Sequence, residues 1–486
     1  MRTSLGWSYG GQAFTFIVTF ASSVIVARLL GPREMGVFAI AMATYGIISI
    51  FTSLDIGTYL LREGEMTKAL IRRVYTVHTA MNLLLALLTF GAGAITAYWG
   101  GEREIGAVLM LSAVGPLLGI FEFVPSTLYR REMNYGVLTR VGMVRVVITS
   151  VTIVACAYGG LGALSPVVGP LVAGVYSATY YNIRRRRELI FRPTREGLKP
   201  IVVFGFQMMS IGGVASLTQR LSEIILGRML GLAALGLYSR AATLASLVWS
   251  NVYGLATGVL FVKMSDDLRD KGTLRDTFVL SIRLITAVIW PLVIGLAVLA
   301  RPAIHILYGE QWMGAAAPLS ILMIGQFVAL AFGMNWELFV LRRETPTLTR
   351  YELIRAVIGL GSFAVGSLFS VTAAAGGRLI ESISGYLLYR PHIDRLAETE
   401  RGEIERVLGE SLLLTAIAVA PAFGLMLWKG WAADTSPLLI AAAVALGGAG
   451  WFAVLVVRDH PLVAELRKVL DKLGALRGAN WSRGEA

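Results

Sequence analysis

Apolar positions in this chain come in long runs, broken by short polar intervals, from residue 7 to residue 457. A helix of about 17–25 apolar residues crosses the roughly 30 Å hydrocarbon core of a bilayer. Roughly fourteen such spans can be placed, at 7–30, 36–61, 74–98, 105–128, 141–158, 166–183, 201–226, 237–262, 278–300, 317–341, 353–371, 374–388, 412–428 and 438–457. The pattern predicts an all-α integral membrane protein. The pair at 353–371 and 374–388 reads as two spans, or as one broken span that would move the C-terminus across the membrane. The first run is not taken as a cleavable leader, because the same pattern recurs throughout.

Composition agrees. Of 486 residues 56% are hydrophobic and 15% charged, where soluble domains carry about a quarter charged residues. The formal net charge of +13 raises the question of a nucleic-acid partner, so the placement of the cations matters. They fall in alternate loops. One set holds Lys68, Arg72 and Arg73; Arg130, Arg131 and Arg140; Arg184 to Arg187; Lys263, Arg269 and Lys271; Arg342, Arg343 and Arg350; and Arg395, Arg401 and Arg406. The other set holds only Arg33, Arg103, Arg228, Arg301 and Lys429. Counted by the positive-inside rule, this places both termini in the cytosol and explains the charge without nucleic acid. The tail at 461–473 has helically spaced Leu and Val with Arg467, Lys468 and Lys472 between them, which predicts an interfacial helix. The single cysteine, Cys156, and four scattered histidines offer no disulfide and no ligand spacing.

An internal repeat carries the next step. Residues 22–38 read SSVIVARLLGPREMGVF and residues 222–238 read SEIILGRMLGLAALGLY, an ungapped match at an offset of 200 residues. Arg28 falls on Arg228, Gly31 on Gly231 and Gly36 on Gly236. Six spans separate the copies, so both start in the same orientation. Parallel repeats of this kind build transporters that rock two halves around a central site. The predicted organisation is an N-lobe at 1–183, a basic linker at 184–200, a C-lobe at 201–390, an added helix pair at 391–457 and a tail at 458–486. The two lobes would each contribute six helices around a central cavity.

Three stretches, VARLLGPREMGVFAIA at 26–41, GRMLGLAALGLYSRAATLASL at 227–247 and LYGEQWMGAAAPLSIL at 307–322, resemble the polysaccharide-export family of lipid-linked oligosaccharide flippases. That family comprises O-antigen and exopolysaccharide translocases of the multidrug/oligosaccharidyl-lipid/polysaccharide superfamily. Where relatives carry a proline-containing stretch after Leu260, this chain has Phe261, Val262 and Lys263. The resemblance implies movement of a polyprenyl-pyrophosphate-linked oligosaccharide across a bacterial inner membrane by alternating access. It implies no cofactor beyond a coupling H+ or Na+. Its implied partners are the lipid-linked substrate and membrane lipids, with a polysaccharide polymerase and glycosyltransferases as candidates. A drug or metabolite antiporter of the same superfamily is the second reading.

A pyrophosphate needs cations, and ionisable residues inside spans usually face a cavity or a partner. The candidates for the substrate cavity are Arg220, Arg145, Arg283, Arg240 and Arg28. Arg is preferred because its planar fork grips phosphate oxygens in pairs. Arg220 with Glu223, and Arg378 with Glu381, are three residues apart and could instead neutralise themselves on one helix face. Arg28 and Arg228 would fix the outer ends of the repeat helices or close an outer gate. Asp55, Glu122 and Glu223 are the candidates for ion coupling. Trp99, Trp312, Trp428 and Trp431 fall at span ends, as interface belts require.

A membrane glycosyltransferase or polymerase is the third reading, resting on Asp266, Asp267 and Asp270. A magnesium clamp needs several oxygen ligands, and the sequence offers no second acidic set. The segment is interleaved with Lys263, Lys271 and Arg275 and is expected to be a solvated loop. Gly359 and Gly361 imitate a dinucleotide fingerprint only loosely and, inside a span, are expected to serve packing.

Overall fold

The computed structural model describes residues 2–52, 59–60, 67–186, 193–465 and 467, and among them all regular structure is helical. The chain divides into two compact units, Met1–Ser239 and Arg240–Ala486. Ten of the described helical stretches are long and apolar enough to cross a membrane, and Leu232–Val248 is a shorter apolar helix. The predicted spans at 201–226, 237–262, 353–371 and 374–388 are helical but are not among the ten. Those at 353–371 and 374–388 carry intrahelical charges, including Arg355, Arg378 and Glu381, which lower their hydropathy.

The first unit contains α1 (Arg2–Leu29), α2 (Pro32–Thr52), α3 (Lys68–Tyr98), α4 (Arg103–Ser112), α5 (Val114–Arg131), α6 (Tyr135–Tyr158), α7 (Ser165–Arg184), α8 (Lys199–Leu230) and the start of α9 (Leu232–Val248). The predicted span at 105–128 is built from α4 and α5, which are broken at Ala113. Pro116 has no N–H to give the Ser112 carbonyl, so the ladder is interrupted one turn ahead of the proline. Helix α1 packs on α6, α2 on α8, α3 on α4, and α7 on both α5 and α6. Leu87, Val151 and Ile17 remain exposed on the outside of their helices. In lipid such side chains need no protein partner, and the unit turns its small residues inward instead.

The tightest crossing joins the two copies of the repeat. A Cβ at Gly36 would lie 1.7 Å from the Leu232 carbonyl oxygen, and one at Gly236 would lie 1.8 Å from the Pro32 carbonyl oxygen. Gly36 and Gly236 occupy equivalent repeat positions, as do Pro32 and Leu232. The contact is therefore reciprocal, each glycine receiving the backbone of the other copy, as expected across a local pseudo-two-fold axis.

The second unit continues from α9 through a π-helical turn (Trp249–Tyr253) into α10 (Gly254–Lys271). It then runs through α11 (Arg275–Val298), α12 (Ala300–Tyr308), α13 (Ala316–Leu330), α14 (Asn335–Leu341), α15 (Thr345–Ser367), α16 (Val371–Ala397), α17 (Glu403–Trp428) and α18 (Pro437–Val457). The predicted span at 317–341 is interrupted between α13 and α14, where Met334 takes a left-handed φ of 56°. Its N–H donates to the Tyr253 hydroxyl at 3.0 Å, so the π-helical turn satisfies the broken ladder. Helices α15 and α16 are separate elements in a tight hairpin, with the Ser370 hydroxyl accepting from Ala373 N–H at 3.0 Å. Of the predicted tail helix, residues 461–465 are helical and most of the remainder lies outside the described residues.

Within the basic run at 184–187 one arginine is part of the packed structure. Arg185 is buried, lies over the Tyr129 ring at 4.1 Å, and grips both carboxylate oxygens of Glu132, one of them at 2.8 Å. Arg184 is exposed, and Arg187 lies outside the described residues. Arg185 holds the Glu132 carboxyl below its usual range. A depressed carboxylate stabilises the fold above its unfolded pKa and loses that contribution as pH falls through the folded value. Glu132→Gln is expected to cost about 1 kcal/mol at neutral pH, the half-exposed carboxylate being partly screened. The melting-temperature gap to wild type should close as the pH is taken below about 4; a gap that does not change with pH would refute the ion pair's contribution.

Candidate functional site

In the first unit three helices bring polar groups together at the middle of their lengths. Glu122 on α5 accepts from Arg145 Nη1 on α6 at 2.8 Å and from Ser177 Oγ on α7 at 2.7 Å. Helix α6 begins six residues before the predicted span, so Arg145 lies about 15 Å along it rather than near its end. Glu122 is largely covered, at 16% side-chain exposure, whereas Arg145 retains 42%. Among the described residues Arg145 makes one side-chain hydrogen bond, through Nη1. The carboxylate thus anchors one arm of the fork and leaves the other donors for an anion. Of this constellation the sequence marked Glu122 and Arg145 separately. Ser177 it did not mark, since a serine in an apolar helix normally bonds the preceding turn, as Ser177 also does to Ala173 O at 3.0 Å.

A second pair follows the same plan. Arg220 on α8 donates through Nη1 to Glu223 at 3.0 Å, with side-chain exposures of 34% and 15%. The three-residue spacing read from the sequence does produce this pair. What the sequence did not indicate is Gly46 on α2, where a Cβ would meet Arg220 Nε at 2.6 Å. The glycine makes the groove through which the guanidinium stem passes. Arg28 and Arg228 are exposed in the last turns of α1 and α8. Asp55 lies outside the described residues.

In the second unit the predicted cations are embedded differently. Arg240 is 5% exposed, with its guanidinium 5.2 Å from the Tyr308 ring and 5.3 Å from the Trp312 ring. Trp312 is fully buried in this cage and so is not an interface belt residue, while Trp99 and Trp428 are exposed at helix ends as expected. Arg283 on α11 stands 3.5 Å from Glu410 on α17. Arg378 donates to Glu381 at 2.6 Å, and a Cβ at Gly359 would lie 2.5 Å from that carboxylate, which bears out the packing role of the glycine. The sequence reading passed over a further network, in which Glu352 accepts from Tyr389 at 2.7 Å and from Arg355 at 2.8 Å. The acidic segment is not a loop but the last turns of α10. There Asp266 and Asp270 pair with Arg269 at 2.9 and 3.3 Å, and Asp267 with Lys271 at 2.9 Å. Every carboxylate of the segment is balanced by a cation on its own helix, and no cluster among the described residues has the makings of a metal site.

Comparison with known proteins places this geometry in context. A family model described as polysaccharide biosynthesis protein matches residues 25–317. The succinoglycan biosynthesis transport protein ExoT of Rhizobium meliloti is 26% identical over 371 residues, covering 75% of this chain and 74% of that protein. Among solved structures the lipid II flippase MurJ, in an inward closed conformation, superposes with a TM-score of 0.71 at 14% identity, over 94% of this chain and 100% of that one. An inward-facing multidrug resistance MATE family transporter of the MOP superfamily gives 0.54 at 16% identity, over 79% and 96%.

Proposed function

The chain belongs to the polysaccharide biosynthesis protein family, and from that membership we propose that it is a flippase for a polyprenyl-pyrophosphate-linked oligosaccharide. It is a multi-pass membrane transporter with a MurJ-like fold, and its work is movement across the bilayer, not bond chemistry. The observation that carries the reading is the pair of anchored arginines in the first unit, Arg145 on Glu122 and Arg220 on Glu223. Each presents part of its fork from within the membrane layer, and a pyrophosphate offers oxygens at the spacing that fork binds. The glycan would meet the polar walls while the polyprenyl tail stays in lipid.

On this reading the protein sits in the bacterial inner membrane with both termini cytosolic, and two six-helix lobes alternate around the substrate. Glu122 and Glu223 would couple the cycle to an ion, since a proton or Na+ arriving on either carboxylate releases its arginine toward the phosphate. Succinoglycan transport in the name of ExoT and lipid II flipping in that of MurJ support a lipid-linked sugar over a drug.

Deleting the gene is expected to abolish the surface or exported polysaccharide and to leave drug sensitivity unchanged, with export restored by the wild-type gene. Raised drug sensitivity with normal polysaccharide would instead favour an antiporter.

A further inference from the structure

Where α11, α17 and the end of α18 meet, the second unit holds a cavity of about 400 Å³, within the range of small-ligand sites. Its polar wall combines Arg283 of α11, Glu410 of α17, and Arg458, Asp459 and His460 from the turn that ends α18. Leu413, also in the wall, is 40% exposed on the outside of α17. The cavity therefore reaches the flank of the helices, the side that faces lipid.

Two donors in this wall are buried and make no hydrogen bond. Leu462 N–H donates to His460 Nδ1 at 3.2 Å, which assigns the proton of the neutral ring to Nε2. His460 is 7% exposed, and its Nε2 has no hydrogen-bond partner. Burial and the nearby Arg283 charge lower the pKa of this ring, in keeping with the neutral form. Arg283 Nε is also buried without a hydrogen bond, its 3.5 Å approach to Glu410 being an ion pair and no more. Buried polar atoms are nearly always satisfied, so both mark the position of an acceptor. A ligand with several oxygens on one centre answers both.

The charge balance narrows the ligand further. Arg283 and Arg458 are matched by Glu410 and Asp459, so the wall carries as many carboxylates as guanidiniums. A purely anionic headgroup would face two like charges, whereas a zwitterion meets both signs. The turn at 458–460 follows directly on the last residue of α18, at the level where a span gives way to the headgroup layer.

We propose that this cavity binds a zwitterionic phospholipid headgroup bearing a primary ammonium, of the phosphoethanolamine class. Its phosphate oxygens accept from Arg283 Nε and His460 Nε2, its ammonium donates to Glu410 and Asp459, and its acyl chains lie along the flank beside Leu413. The lipid ties the α17–α18 hairpin to α11. The inference rests on the membrane embedding of the chain and not on the identity of the transported substrate.

The test uses the full-length purified protein in detergent, titrated with dioleoyl phosphatidylethanolamine, phosphatidylcholine or phosphatidylglycerol, with native mass spectrometry reading bound lipid. Phosphatidylethanolamine should bind about tenfold more tightly than phosphatidylcholine, which lacks N–H donors, or phosphatidylglycerol, which lacks a cation. Glu410→Gln should shrink the preference over phosphatidylcholine, and Arg283→Gln should weaken all three. Free O-phosphoethanolamine is the soluble arm. If it displaces the lipid at equal concentration, the site takes a metabolite and the lipid assignment falls. Equal binding of the three lipids by wild type would overturn the proposal without recourse to any variant, as would an unchanged preference in both variants.

Discussion

Replacing Gly36 by alanine is expected to lower the melting temperature of the purified protein by about 10 °C, or to prevent its accumulation in the membrane. The new Cβ would stand 1.7 Å from the Leu232 carbonyl oxygen. The neighbour is backbone rather than the tip of a flexible side chain, so two helix ends must separate to admit it. Overpacking that moves backbone costs about 3 kcal/mol, and in a unit of this size each kcal/mol shifts the transition by about 2–4 °C. Gly236→Ala should cost as much, because a Cβ there meets the Pro32 carbonyl oxygen at 1.8 Å. The double variant should cost clearly less than the sum, since one separation relieves both clashes and contacting sites do not add. Gly142→Ala is the control, with nothing within 4 Å of the added atom. Strict additivity of Gly36→Ala and Gly236→Ala, or a melting temperature no lower than that of the control, would refute the reciprocal crossing.

Arg145→Ala is expected to reduce polysaccharide export about 10- to 100-fold at normal protein level. That range corresponds to the loss of one charge-assisted hydrogen bond to the substrate, about 1.5–3 kcal/mol. Arg145→Lys keeps the charge but not the fork and should fall between wild type and alanine. Glu122→Gln retains an acceptor for Ser177 but not the anchoring charge, and under the coupling proposal it should flatten the dependence of export on the ion gradient. Gly46→Leu should reproduce the effect of Arg220→Ala without touching the arginine, because it fills the space taken by the Arg220 stem, 2.6 Å from the site of the added Cβ. Export in vesicles or intact cells, normalised to protein in the membrane, is the readout. Wild-type export by Arg145→Ala would remove this residue from the substrate path.

The polar pairs show which relations a linear chain can display. Arg220 with Glu223 and Arg378 with Glu381 were legible because helix geometry alone brings residues three apart onto one face. Glu122 with Arg145 is equally short, at 2.8 Å, but the partners are 23 residues apart on different helices. Nothing in the local pattern links them. The fate of Trp312 was likewise closed to the sequence. A tryptophan near a span end looks alike whether it meets lipid headgroups or closes over Arg240.

By itself the sequence determined the solvent, the helical class and the repeat. Each follows from composition, from periodicity or from residues in an unbroken register, all of which are properties of short stretches of chain. Tertiary structure alone decided that the repeat copies meet through Gly36 and Gly236, that Glu122 anchors Arg145, and that Arg283 opens on a cavity with His460 while Arg240 is sealed among rings. These depend on which helix faces lie against each other. In a membrane nearly every face is apolar, so hydropathy cannot rank them, and the choice falls to close packing of small residues and to the pairing of the few charges the bilayer would otherwise reject.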